Sequence, residues 1–323
     1  MLNKNLDIFD EIVGDSKVEI APCVKQLSQK YFKADYGKKS STVFLNLLPD
    51  DETNSMLLQQ KVLELLNEEK GHSINLLIKD DSTPKEAEPR AEEKAKNYLI
   101  LVTFPTEIVE NIKKLQKLPT WNHLAQFIVV VTERFADQFE MEVVVSGTFK
   151  LFFDYSILDV YVLIQNLDNY NILQSFIWFP YDGKSCSNIL SYNNLVIIDE
   201  CETLNITDGI QEFEMRELVA NVSSRLPIKY HGCPLTISTN IWEPYVIGNV
   251  IGDEKEVTGG IEVNLIKLIA DKLDLETIFK IIDDSKAFSI VTDDEETGFY
   301  SDLIKRKTDL LIGGLYDNQV SRK

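Results

Sequence analysis

Residue types that commonly carry catalysis are frequent in this chain, but none of them stands in a recognisable catalytic pattern. The sequence contains no GxSxG, no GxxxxGK[ST], no HExxH, and no GxGxxG after an apolar strand. Its 52 Asp and Glu residues are so numerous that spacing distinguishes no pair among them as a general acid and base. We therefore expect a protein that is not an enzyme. Among the possible interpretations, an intracellular α/β enzyme ranks third.

The cysteines and histidines are the possible metal ligands of the chain. No cysteine belongs to a CxxC pair, and the three histidines do not cluster with the cysteines, so we expect neither a metal nor a cofactor. An even number of cysteines permits two disulfides in three connectivities, or four buried free thiols. Cys186 and Cys201 bracket a short loop, and closing it would stabilise the fold by about 3 kcal/mol in the chain-entropy model.

Composition and charge exclude some classes of partner. The chain is 44% hydrophobic and 26% charged, which is typical of a globular protein. Its net charge of −19 argues against nucleic acid as a partner, because an acidic surface repels phosphate. Two possible glycosylation sequons, at Asn205 and Asn221, favour an extracellular setting for the polar stretch that contains them.

Residues 231–322 have the most informative spacing. This segment contains an apolar strand that begins HGCPL, a Pro-broken turn EPYV, a helix entered through Gly259 and Gly260, and a second apolar strand that ends in a Gly-rich turn. Such a βα…β unit binds ligands in the crevice beyond the carboxyl ends of its strands. One side of the helix is apolar, and we expect it to lie in the core: Ile261, Leu265, Leu268, Ile269 and Leu273.

The order of these pieces resembles the first ligand-binding segment of ionotropic glutamate receptors, and more closely that of the divergent insect chemosensory ionotropic receptors. The corresponding stretches are residues 231–235, 243–246, 260–273 and 309–322. Upstream, LFFDYSILDVYVLIQN and SFIWFPYDGKSC are similar to the extracellular amino-terminal region of the same receptors. The resemblance implies a fragment that ends within the ligand-binding domain and lacks the pore helices.

The resemblance also implies a ligand site between two lobes. In that family an aromatic residue near the EPY turn lines the pocket, a Gly- or Pro-containing turn holds the ligand's ammonium group, and an arginine binds its carboxylate. Tyr245 either lines the pocket or packs under the helix, whereas we expect Trp242 to pack in the core. The positions that correspond to ligand contacts are Glu243, Tyr245, Gly314, Leu315, Tyr316 and Arg322.

The turn after the last strand departs from the family pattern. Tyr316 replaces a small hydroxyl residue, and family spacing puts Ser321 where the arginine belongs. Either the turn contains an additional residue and Arg322 binds the carboxylate, or this contact is lost. We therefore expect a small odorant or tastant as the ligand rather than glutamate.

Upstream of residue 231, apolar strands alternate with helical patterns. The predicted strands are 41–48, 74–78, 98–104, 123–131, 160–165 and 195–198, and the predicted helices are 20–31, 51–70, 106–118, 148–156 and 209–221. Residues 141–145 are either a strand or part of a helix that continues from residue 132. This alternation predicts an α/β fold of mainly parallel sheets with flanking helices. The resemblance implies that this amino-terminal α/β region is followed by an incomplete periplasmic-binding-protein-like lobe.

We predict three regions along the chain. They are an extracellular amino-terminal α/β region at 1–185 with a mobile acidic loop at 80–96, a connector at 186–230, and the incomplete first segment of a ligand-binding domain at 231–323.

The resemblance implies one subunit of a cation channel on the extracellular side of the plasma membrane, opened when two lobes close over a small molecule. Co-receptor subunits in a heteromeric tetramer are the implied partners. No apolar run reaches the ~18 residues that cross a bilayer, so membrane contact would need segments absent from this chain. The alternative is a soluble solute-binding protein of the periplasmic type, with the same two lobes and no channel.

Overall fold

The structure is a computed structural model that describes residues 20–32, 40–48, 53–67, 72–77, 94–180, 186, 195–207, 210–220, 225–251, 254–282 and 299–314. The chain divides into two compact units. The first comprises Met1–Pro180 with Ile189–Arg225, and the second comprises Tyr181–Asn188 with Leu226–Lys323. The predicted connector at 186–230 is therefore divided between the two units. The predicted acidic loop at 80–96 lies outside the described residues except for its last three positions.

An eight-stranded mixed sheet forms the centre of the first unit, in the order β2-β1-β3-β4-β5-β6-β7-β8. Its first five strands in this order are parallel, and the last three pair antiparallel. The α/β class is thus confirmed, and the sheet is parallel only in this part. The strands are β1 Ser40–Asn46, β2 His72–Leu77, β3 Asn97–Val102, β4 Gln126–Val131, β5 Val160–Gln165, β6 Ile172–Trp178, β7 Leu195–Thr207 and β8 Ile210–Glu217.

Helices cover both faces of this sheet, which is why β3 and β4 are buried at every position. Residues of α1 and α2 share one apolar core with one face of the sheet, and residues of α3 and α4 share a second core with the other face. The helices are α1 Ala21–Tyr31, α2 Thr53–Asn67, α3 Ile108–Leu115 after a 3-10 turn at Pro105–Glu107, and α4 Gln138–Asp154.

The structure decides one open alternative in this unit and corrects one prediction. Residues 141–145, which the sequence left open between a strand and a helix, are helical. They form the single helix α4 with most of the helix predicted at 148–156, and the N-cap Asp137 accepts a hydrogen bond from the Glu140 N–H. The helix predicted at 209–221 is wrong, because residues 210–217 form the strand β8. Phe213 and Met215 alternate there with charged residues, and this period of two is typical of a strand with one polar face.

Helix α1 is attached to the antiparallel part of the sheet by covalent and polar contacts. Cys23 forms a disulfide with Cys201 of β7, and both residues are fully buried. The Tyr31 hydroxyl donates to the carboxylate of Asp199, also on β7, and Lys30 Nζ lies 2.8 Å from Asp199 Oδ1. Because Asp199 is only 1% exposed, these two partners offset its desolvation.

The disulfides differ from the pair singled out in the sequence. Cys186 is bonded to Cys233 and Cys23 to Cys201, so Cys186 and Cys201 are not bonded to each other. The reason is that Cys201 points into the core under α1, whereas Cys186 belongs to the second unit. No helix in the described parts of the chain combines the length and apolar character needed to cross a membrane. Disulfides persist in oxidising compartments, which favours an extracellular setting.

The second unit contains a three-stranded parallel sheet in the order β12-β9-β13 and a two-stranded hairpin of β10 and β11. Val263 and Ile266 of α5 pack on the sheet with Ile237, Phe279 and Ile312. The elements are β9 Cys233–Thr239, β10 Ile247–Ile251, β11 Glu254–Gly259, α5 Ile261–Leu273, β12 Leu275–Ile281, α6 Phe299–Ile304 and β13 Leu310–Ile312.

The predicted core side of α5 is wrong for four of its five residues. Ile261, Leu265, Leu268 and Ile269 are 41–62% exposed, and only Leu273 is half-buried. The helix is apolar on two sides, and it turns the opposite side, which contains Val263 and Ala270, towards the sheet. Periodicity alone does not determine which apolar side of such a helix is buried.

Candidate functional site

The EPY turn is closed by two backbone hydrogen bonds. Trp242 N–H donates to the Val246 carbonyl at 3.0 Å, and Val246 N–H donates to the Trp242 carbonyl at 2.9 Å. The Glu243–Pro244 peptide between them is cis. Glu243 is exposed on this turn, and Tyr245 is half-buried.

The first turn of α5 is bonded directly to the EPY turn. The N–H groups of Ile261 and Glu262, which have no partner within the helix, donate to the carbonyls of Pro244 and Tyr245 at 3.1 Å each. Gly260 permits this close approach: its φ is +123°, and a Cβ at this position would overlap the Tyr245 carbonyl. The turn and the helix are therefore held together as one piece.

The Gly-rich turn after β13 lies against the same piece. Gly314 has a φ of +67°, and a Cβ there would come within 2.9 Å of the Tyr245 ring and 3.2 Å of the Trp242 ring. The structure thus brings two of the predicted ligand contacts, Tyr245 and Gly314, into contact. It also corrects the expectation for Trp242, which is 48% exposed and borders the turn instead of lying in the core.

Glu262 occupies the hydrogen-bond donors of this turn. One oxygen of its carboxylate accepts from Gly313 N–H at 2.6 Å and from Gly314 N–H at 3.3 Å. Glu262 is not among the ligand contacts predicted from the sequence. The sequence contains one signal for this contact, an acidic residue in the first turn of a helix. The Gly313–Gly314 turn could present backbone N–H donors to such an anion.

Asn240 contributes an unusual acceptor beside the Gly-rich turn. Its side-chain oxygen Oδ1 is inaccessible to solvent and accepts no hydrogen bond from the described residues, and it lies where a Cβ on Gly313 would be. Gly313 has a φ of +128°, so this position also requires glycine. An unpaired buried amide oxygen carries a free-energy cost of about 1–3 kcal/mol, which a hydrogen-bond donor would remove.

These groups lie where a ligand crevice is expected in a parallel sheet. Asn240 follows β9, Gly313 follows β13, and the last paired residues of the two strands are Thr239 and Ile312. The carboxyl ends of adjacent parallel strands therefore present an amide oxygen, a carboxylate and two aromatic rings within one unit. We call this group the strand-end site; its members are Asn240, Trp242, Tyr245, Glu262, Gly313 and Gly314.

No known protein-family model matches this chain, and no curated protein is significantly similar to it. The geometry of the strand-end site is therefore the guide to its chemistry. It can hold a small molecule by ring contacts and by acceptor oxygens.

Glu243 is exposed on the EPY turn and is not a member of the strand-end site. Leu315, Tyr316 and Arg322 lie outside the described residues, so their predicted contacts with a ligand stay predictions. Of the two predicted glycosylation sites, Asn205 lies within β7 of the first unit, and Asn221 is outside the described residues. Within the described ranges, no group of three or more His, Cys, Asp or Glu residues could hold a metal ion.

Proposed function

We propose that this chain is the extracellular portion of a chemosensory ligand-gated cation channel subunit. In this proposal the first unit is the amino-terminal region, and the second unit is the first segment of a bilobed ligand-binding domain of the periplasmic-binding-protein type. The observation that supports it best is the packing of Tyr245 against Gly314 at the carboxyl ends of β9 and β13. Both positions correspond to ligand contacts in the family that the sequence resembles.

The backbone contacts of the strand-end site suggest how ligand binding would be transmitted. A ligand that contacts the Tyr245 ring acts on a turn that is hydrogen-bonded to the start of α5 through Pro244 and Tyr245. Turn and helix would therefore move together when a second lobe closes over the ligand. In the intact receptor this closure would favour the open pore. The free energy available for opening would be at most the difference between the ligand's binding free energies for the closed and the open lobes.

The covalent structure is consistent with an extracellular location for the proposed receptor. Cys23 and Cys186 are bonded to Cys201 and Cys233, and disulfides of this kind are typical of secreted proteins and receptor ectodomains. The proposal places both units outside the plasma membrane, with co-receptor subunits of a heteromeric tetramer as partners. Their ligand would be a small odorant or tastant.

Sequencing the transcript beyond the codon for Lys323 tests the channel part of this proposal. Further apolar stretches of about 20 residues, followed by a second ligand-binding segment, support the receptor. A stop codon within a short distance refutes the channel and leaves the soluble solute-binding protein. Glycan mapping on the secreted chain tests the location independently, because occupied sequons at Asn205 or Asn221 require passage through the secretory pathway.

A further inference from the structure

Strand β8 lies at one end of the eight-stranded sheet, and in the described parts of the chain it pairs with β7 alone. Alternate backbone N–H and C=O groups of this strand therefore point away from the sheet. Phe213, Leu218 and Val219, in β8 and just after it, are 37–45% exposed. An outer strand edge with exposed apolar residues is a template for pairing with another strand.

The charged residues on one face of β8 are matched unequally by β7. Arg216 lies opposite Glu200, and its Nη1 atom is 3.4 Å from Glu200 Oε2. Glu214 lies opposite Glu202, and like charges directly opposite each other destabilise a sheet. Because Glu214 is exposed at the outer strand, a cation on its other side would offset this repulsion.

The sequence of β8 is complementary to itself when one copy is read in the opposite direction. Two copies that pair antiparallel about a two-fold axis place each residue opposite the residue equally far beyond the axis. An axis at Glu214 or at Arg216 would place two like charges opposite each other. An axis at Met215 instead places the two Met215 residues opposite each other, and each Glu214 opposite the second copy's Arg216. Of these three registers, the one centred on Met215 gives Glu214 an opposing cation and contains no like-charge pair at these positions.

We propose that two copies of this chain associate through the outer edges of β8, in the register centred on Met215. Each Arg216 then lies between Glu200 of its own chain and Glu214 of the second copy, and the two sheets become continuous. The net charge of −19 opposes association, but at physiological salt exposed charges more than about 8 Å apart are largely screened, so contacts at the edge decide. This inference goes beyond the proposed function and does not depend on it.

Charge exchange in the full 323-residue chain tests the proposed pairing. Sedimentation velocity should show dimers of the unmodified chain at about 100 µM, a high concentration because the interface of one strand pair is small. Glu214→Arg places arginines opposite each other, and Arg216→Glu places glutamates opposite each other. Each variant alone should raise the dissociation constant of the dimer by at least about tenfold.

A mixture of these two variants separates lost pairing from lost folding. In a mixed dimer, Glu214→Arg and Arg216→Glu chains again place opposite charges across the axis, so the mixture should form dimers that neither variant forms alone. Glu276→Arg is the matched control, because it makes the same change of charge as Glu214→Arg at an exposed position on β12. This control should leave the dissociation constant unchanged.

Cysteine cross-linking tests the register. The native cysteines are joined in two disulfides, so an added cysteine is the reactive thiol. In a dimer centred on Met215, Met215→Cys brings two Cβ atoms within about 5 Å, and mild oxidation should link the chains. Phe213→Cys, on the same face, should not link them, because its counterpart lies four positions along the strand, about 14 Å away.

Three results would overturn the proposal. One is an unmodified chain that stays monomeric at every concentration, since the charges of β8 would then only keep its edge solvated. Another is a mixture of Glu214→Arg and Arg216→Glu chains that forms no more dimer than either variant alone. The third is cross-linking of Phe213→Cys as fast as that of Met215→Cys, which would exclude the register.

Discussion

The disulfide between Cys23 and Cys201 should supply a large part of the stability of the first unit. It joins α1 to β7 across a sequence separation of 178 residues. The chain-entropy model gives about 5 kcal/mol for a closed loop of that length. The Cys186–Cys233 bond closes 47 residues, for which the same model gives about 4 kcal/mol. Folded domains are stable by only about 5–15 kcal/mol in total, so either loss should be easy to measure.

Urea denaturation monitored by tryptophan fluorescence can assign each loss to one unit. Trp121 and Trp178 belong to the first unit, and Trp242 belongs to the second. In a Trp242→Phe background, the double variant Cys23→Ala/Cys201→Ala should lower the free energy of unfolding by about 5 kcal/mol. The matched double variant Cys186→Ala/Cys233→Ala should leave that transition in place.

Two results would refute this reasoning. One is a loss below about 1 kcal/mol in the Cys23→Ala/Cys201→Ala variant, since the buried contacts of α1 alone would then hold it on the sheet. The other is an equal effect of both double variants on the fluorescence of the first unit. That outcome would contradict the assignment of each disulfide to a separate unit.

Three further predictions follow from individual contacts. Burial and a hydrogen bond to a carboxylate raise the pKa of Tyr31, so the folded chain keeps a proton that unfolded tyrosine loses above pH ~10. Stability should therefore decline by about 1.4 kcal/mol per pH unit above that pH, and urea titrations of Tyr31→Phe should lack this component of the slope. Gly260→Ala should destabilise the second unit by about 2 kcal/mol, because Gly260 has a positive φ. Gly259→Ala should change the urea midpoint of this unit little, because a Cβ there meets no atom within 4 Å. Equal midpoints of the two variants would contradict the positive-φ argument. In the same assay, Val263→Ala should lower the free energy of unfolding by about 2 kcal/mol and Leu268→Ala by less than about 0.5 kcal/mol. The reverse order would mean that the side of α5 predicted from the sequence is the buried one.

Sequence reasoning located the strands of the first unit because their composition is unambiguous. The runs YLILV and FIVVV are apolar at successive positions, and their shortness and β-branched residues favour a strand buried on both faces. For α4, which has apolar residues on several sides, the sequence left a strand or a helix open at 141–145, and for β8 the prediction of a helix was wrong. In both cases the deciding information is the neighbouring strand or helix, which the local sequence does not contain.

The site was predictable only in part for the same reason. The order of motifs indicated that Tyr245 and Gly314 belong to one crevice, and the structure places them in contact. The contact of Glu262 with Gly313 joins residues 51 positions apart and depends on how α5 lies beside β13. Disulfide connectivity is similar, because spacing favoured Cys186 with Cys201 while the folded chain pairs each with a different cysteine.

The most direct test of the proposed ligand crevice is the current evoked by a panel of small amines, acids and alcohols in cells that express the proposed full-length receptor with a candidate co-receptor. The account predicts that Tyr245→Ala loses the response at unchanged surface expression. Ile228→Ala, a change at a residue that is 85% exposed in the same unit, should keep it. If the two variants respond equally to every ligand that activates the unmodified receptor, the strand-end site does not bind the ligand.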